Sequence, residues 1–128
     1  MNRDSLNTSF KSEINGTEYR GNISFDEKNN MFLILNYPKE ISGLSLYFDG
    51  KTVSSTYERA KSNHSTFDYS ENFAFLDVYN AICNALTDGG FILNSDSAYE
   101  LDFNGVTLIA DKDGNLTSAR AKNASFIF

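Results

Sequence analysis

One stretch, Ser70 to Asp88, constrains the fold more than any other, because only there do apolar residues recur at helical spacing over several turns. Phe75, Val78, Tyr79, Ile82 and Leu86 fall three and four apart, which stacks them on one helical face, and Ala74, Ala81 and Ala85 widen it. Asp68 and Glu71 can cap the start reciprocally, with Ser70 as a competing cap. Gly89-Gly90 ends the run, since glycine takes the left-handed conformation that closes a helix without a Cβ penalty. The chain thus offers one helix, and the rest must be built from strands.

The remaining apolar segments alternate at period two and are punctuated by hairpin signals. Phe10, Ser12 and Ile14 alternate with charged neighbours, Asn15-Gly16 supplies a tight turn, and Tyr19, Gly21, Ile23 and Phe25 return. Met31 to Leu35 is apolar on both faces, which predicts a central strand covered on both sides. Pro38 breaks that ladder, Leu44, Leu46 and Phe48 resume it, and Asp49-Gly50 turns it into Val53, Ser55 and Tyr57. The first half reads as a five-strand meander. Glu58 to Phe67, with the sole histidine His64, reads as an exposed loop. After the helix, Phe91 to Leu93, Tyr99 to Phe103, Val106 to Ala110, Leu116 to Ala121 and Ala124 to Phe128 predict four or five more strands.

A chain of 128 residues is one domain, here 1–128, with residues 1–8 expected to be a flexible N-terminal segment. One helix cannot cover both faces of nine or ten strands. The expected class is therefore α+β: a strongly curved antiparallel sheet of 9–10 strands, a half-barrel, wrapped around one main helix. A two-sheet sandwich with the helix outside is the competing arrangement.

Composition narrows the function classes. A net charge of −6 with a pI near 4.6, and eleven scattered Lys and Arg, argues against nucleic acid. The single cysteine, Cys83, rules out an internal disulfide. No run of about eighteen apolar residues predicts a membrane span, and Met1-Asn2-Arg3-Asp4 lacks the apolar segment of a signal peptide. With one His and one Cys the options for a nucleophile, base and orienting group are few, since Cys83 reads as a buried thiol and His64 as a solvated loop residue, and metal ligation would need more of both. Asp111-Lys112-Asp113-Gly114-Asn115 opens like a calcium loop, but Leu116 stands where that loop needs glycine and Lys122 where it needs a bidentate glutamate. A hairpin turn is the better reading. No enzyme, cofactor or metal is expected, so no catalytic residue is assigned.

What remains is the abundance of aromatics, eleven Phe and seven Tyr. Most should pack the core, although a curved sheet that leaves space beside its helix would offer an aromatic-lined cleft for an acyl chain.

The order of elements then becomes informative. Tyr37-Pro38 through Ile41-Ser42-Gly43-Leu44, a strand, Asp49-Gly50, and a polar strand ending at Tyr57-Glu58 before a helix resembles small Gram-positive lipoproteins with the fold of the LolA-type lipoprotein carriers. That resemblance implies an open half-barrel, an extracytoplasmic location, a lipid anchor upstream, and a role in holding a lipid-like ligand or a cell-envelope protein. On that basis the expected function is a non-enzymatic binding module with Leu33, Leu46, Phe75, Tyr79, Ile82 and Leu101 facing an apolar concavity. The alternative is a protein-interaction module of the cell envelope whose barrel is fully packed.

Overall fold

The computed structural model describes residues 1–57, 60–65, 73–89, 92–95 and 98–128. Its strands are β1 (Thr8–Ile14), β2 (Thr17–Phe25), β3 (Met31–Tyr37), β4 (Ser45–Phe48), β5 (Thr52–Tyr57) and β6 (Ala60–Ser65), followed by the helix α1 (Ala74–Asp88). After it come β7 (Ile92–Ser95), β8 (Ala98–Phe103), β9 (Val106–Asp111), β10 (Leu116–Ala121) and β11 (Ala124–Ile127). They form one antiparallel sheet in the order β6-β5-β4-β3-β2-β1-β11-β10-β9-β8-β7. The two edges do not pair with each other, so the sheet is open, and the fold is α+β as expected.

Eleven strands replace the nine or ten expected. The extra one is β6, which lies inside the segment read as a loop. Its register with β5 runs from Thr52↔Ser65 to Tyr57↔Ala60. As an edge strand with Lys61, Ser62 and Asn63 exposed, it lacks the apolar alternation that identifies strands. The rest of the expected loop, residues 58–59 and 66–67, lies outside the described residues.

The first hairpin forms as its turn chemistry dictates, with Asn15 at φ 51° and Gly16 at φ 82°. The helix closes at Gly89, whose φ is 69° and whose N–H donates to the Ala85 carbonyl at 3.2 Å. At its other end Phe73 holds the cap position, and the expected caps Asp68, Ser70 and Glu71 lie outside the described residues.

The position of α1 shows that the sheet bends. Its first turn adjoins Asn15 at one end of β2, and Cys83 reaches Asn29 at the other end, so the helix runs along the strands. A flat sheet would offer such a helix only two or three strands at about 4.8 Å spacing. Instead α1 touches β4 through Phe48, β2 through Phe25, β1 through Phe10, β11 through Phe126, and lies close to β8 and β9. Leu76, Phe75, Val78, Tyr79, Ala81, Ile82 and Ala85 are all buried, an arc of about 220° at about 100° per residue. A trough with side walls accounts for that extent of burial.

Residues 1–8 are not a loose tail. Arg3–Leu6 forms a short 3-10 helix and Leu6 is fully buried. The Arg3 guanidinium donates to the Asn29 side-chain oxygen and the Asp26 carbonyl, both at 2.6 Å. Asn2 donates its N–H to the Gly114 carbonyl at 2.6 Å and its side-chain amide to Asn115 at 2.9 Å. The segment straps one end of the trough with Leu6 as its plug. Its polar sequence gives no periodic signal because a single buried leucine and a few hydrogen bonds hold it.

Candidate functional site

Among the described residues, aromatic side chains pack closely between the helix and the sheet. Phe10, Phe75 and Phe126 meet edge-on or tilted, with ring centroids 5.7–6.4 Å apart. Tyr79 lies between Phe25 and Phe48, stacked on both at 6.1 and 5.5 Å. Against the sheet, the apolar space left beside Leu33, Phe75, Val78 and Ile82 amounts to about 10 Å³, the volume of roughly one water.

The six residues predicted to face an apolar ligand are all buried within this packing. Leu33, Phe75 and Ile82 line the residual cavity together. Leu46 pairs with Leu33 across β3 and β4, whereas Leu101 lies on the other wing, opposite Leu108. Tyr79 points to the Asp49-Gly50 turn, its oxygen 3.8 Å from where a Cβ on Gly50 would stand. Burial pushes its hydroxyl well above the usual phenol range. Cys83, one turn on, is half-buried and directs its thiol to the Asn29 carbonyl at 3.5 Å; burial raises its pKa as well, so the thiol stays protonated and inert.

At the other end of the helix, a cavity of about 290 Å³ opens between Asp77, the β1–β2 turn at Ile14 and Asn15, and the β10–β11 turn at Lys122 and Asn123. Burial raises the Asp77 carboxyl above its ordinary value of 3.8.

The calcium-like segment is a turn, as read. Asp111 accepts from the N–H groups of Asp113 and Asn115 at 2.9 and 3.0 Å and from the Asn115 side-chain amide at 3.2 Å. Asp26 makes the same set with Lys28 and Asn30 at 2.9–3.0 Å. In both loops the fourth residue, Asn29 or Gly114, has positive φ. The shared Asp-x-x-x-Asn spacing was the sequence signal for this pair. These carboxylates are spent on their own loops.

The outer face of the sheet departs most from expectation. β3 is central, but its second apolar face is not covered among the described residues: Phe32 is 45% exposed and Ile34 half-exposed. Tyr37 at 42% and Ile127 at 64% lie exposed further along the sheet, Tyr37 beneath the Arg20 guanidinium at 4.7 Å. Phe32, read from sequence as a core aromatic, is therefore a surface residue. Strand alternation alone could have placed it there, since Leu33 and Leu35 take the inner face.

No helix among the described residues is long and apolar enough to cross a membrane. No protein-family model matches the chain, and no curated protein matches it.

Proposed function

We propose that the chain is a non-enzymatic binding module of the cell envelope that meets a wall component through the outer face of its sheet, with the trough and helix as scaffold. The observation that carries this reading is the contrast between the two faces. Between the helix and the middle of the sheet, the space lined by Leu33, Phe75, Val78 and Ile82 is about 10 Å³, whereas ligand pockets run to about 300–1,000 Å³. Outside, Phe32, Tyr37 and Ile127 leave apolar surface exposed. An extracytoplasmic, lipid-anchored setting is consistent with the resemblance to LolA-type lipoproteins and belongs to the same proposal.

A lipid-like ligand in the trough is the second reading, favoured by the wholly apolar lining of the residual space. It requires α1 to leave its place, because the helix occupies the volume that an acyl chain would need.

Co-sedimentation of the purified chain with Gram-positive cell walls, beside displacement of a fluorescent fatty acid, separates the two. Wall binding without saturable fatty-acid binding is expected. Saturable fatty-acid binding that Ile82→Phe abolishes, with no retention on walls, would overturn the proposal in favour of the trough.

A further inference from the structure

The registers of β2 to β6 place two rows of side chains across the outer face. One runs Ser24, Phe32, Tyr47, Ser54, Asn63, and the next runs Asn22, Ile34, Ser45, Thr56, Lys61. Where the rows adjoin, a cleft of about 160 Å³ lies among Phe32, Tyr47, Ser45, Ser54, Thr56 and Lys61. Two aromatic rings thus stand side by side on an exposed surface, fenced by three hydroxyls and an ammonium. None of those four polar side chains has a side-chain hydrogen bond among the described residues, in contrast to Thr52, Asp49 and Tyr57 close by.

This combination selects its ligand chemistry. A purely apolar partner would cover Phe32 and Tyr47 but strip water from Ser45, Ser54, Thr56 and Lys61 without replacing it. A simple ion would use Lys61 and leave the rings idle. A pyranose ring has one face of C–H groups, which packs on an aromatic surface, and a rim of hydroxyls that both donate and accept. Serine and threonine hydroxyls answer that rim in either sense, and the Lys61 ammonium donates to it.

We infer that the cleft between Phe32 and Tyr47 is a subsite for one sugar ring of a glycan, stacked on these two side chains and hydrogen-bonded through Ser54, Thr56 and Lys61. This rests on the outer face being the binding surface. The subsite is shallow, so the affinity of a single unit is low and useful binding comes from several rings along the sheet.

The test is amide NMR titration of the full chain with oligosaccharides of N-acetylglucosamine, glucose and mannose. At least one series is expected to give saturable shifts centred on Phe32, Tyr47, Ser54 and Thr56, weakened about tenfold or more in Phe32→Ser and in Tyr47→Ser. Phe32 is exposed and Tyr47 half-buried on the outer face, so both variants should keep the wild-type amide pattern elsewhere; Lys61→Gln offers a third probe that leaves both rings in place. Absence of saturable shifts with all three series, or shifts that none of the three substitutions weakens, overturns the subsite. Retention on cell walls by Phe32→Ser at the wild-type level also overturns it while leaving the wider proposal standing. Fatty-acid binding in place of wall binding overturns that wider proposal instead.

Discussion

Phe48 on β4 stacks against Tyr79 of the helix, ring centroids 5.5 Å apart and planes 29° from parallel. Phe48 has no exposed surface, and Tyr79 also stacks with Phe25. One helical side chain therefore joins strands on the first wing that are not neighbours. The pair pins the helix to the first wing.

Truncation there should be costly. Phe48→Ala is expected to destabilise by about 3–5 kcal/mol and Ile82→Ala by about 2–5 kcal/mol, since each empties a fully enclosed site. Urea unfolding followed by far-ultraviolet circular dichroism gives both values. A cost below about 1 kcal/mol for Ile82→Ala would mean that the helix is not seated in the trough.

The N-terminal strap makes a second prediction. Leu6→Ala should cost about 2–5 kcal/mol, as for any enclosed leucine, although Leu6 sits in the opening residues. Limited proteolysis is the companion measurement: cleavage before Thr8 should be slow in the native chain and fast in Leu6→Ala.

At Gly21 a Cβ would run into the Ile34 carbonyl oxygen, where the β2–β3 register shifts between Arg20 and Gly21. Because the obstacle is backbone on a neighbouring strand, Gly21→Ala is expected to destabilise by about 1–3 kcal/mol. The same substitution at Gly16 meets no atom within 4 Å and is penalised only for its positive φ. Thermal melts of the two variants separate crowding from backbone strain.

Asp77 predicts a pH dependence of defined sign. Burial raises its folded-state pKa above 3.8, so between those two values the native chain holds the proton more tightly than the unfolded one. Stability from this group is present at low pH and declines as pH rises through the folded value. Asp77→Asn should therefore melt higher than wild type at pH 7, with the advantage gone by about pH 3.

Asp26, Asp49 and Asp111 act in the opposite direction. Backbone N–H groups, from Asn30, Thr52 and Asn115 respectively, hold these carboxyls below the usual range. Their contribution is present above about pH 4 and lost as pH falls through their folded values. Asp111→Asn is expected to lower the melting temperature at pH 7 and to flatten its fall between about pH 4 and pH 2.

Most of the architecture could be read from periodicity, because β1, β2, β4, β8 and β9 and the helix each bury one face and leave the other wet. Three features escaped that logic for different reasons. β6 pairs through its backbone at a polar edge, so its side chains carry no record of the ladder. The strap at Arg3–Leu6 depends on Arg3, Asn2 and one leucine meeting loops far away in sequence. Phe32 looks buried as an apolar residue in an apolar run, and only its alternation with Leu33 and Leu35 marks it as facing outward, where it is 45% exposed. The candidate residues Leu33, Phe75 and Ile82 do converge, but convergence in a packed core cannot be distinguished from a pocket by residue type.

The middle of the sheet is where its first and last strands meet, with Lys11 opposite Ile127 and Ile14 opposite Ala124. Each wing can zip up from short hairpins, yet the two can be joined only once β11 has been made. During synthesis the first wing must therefore wait with β1 unpaired on one side until β11 is available. Circular permutants that link β11 to β1 through a short loop and open the chain elsewhere should reach the same structure by a faster route.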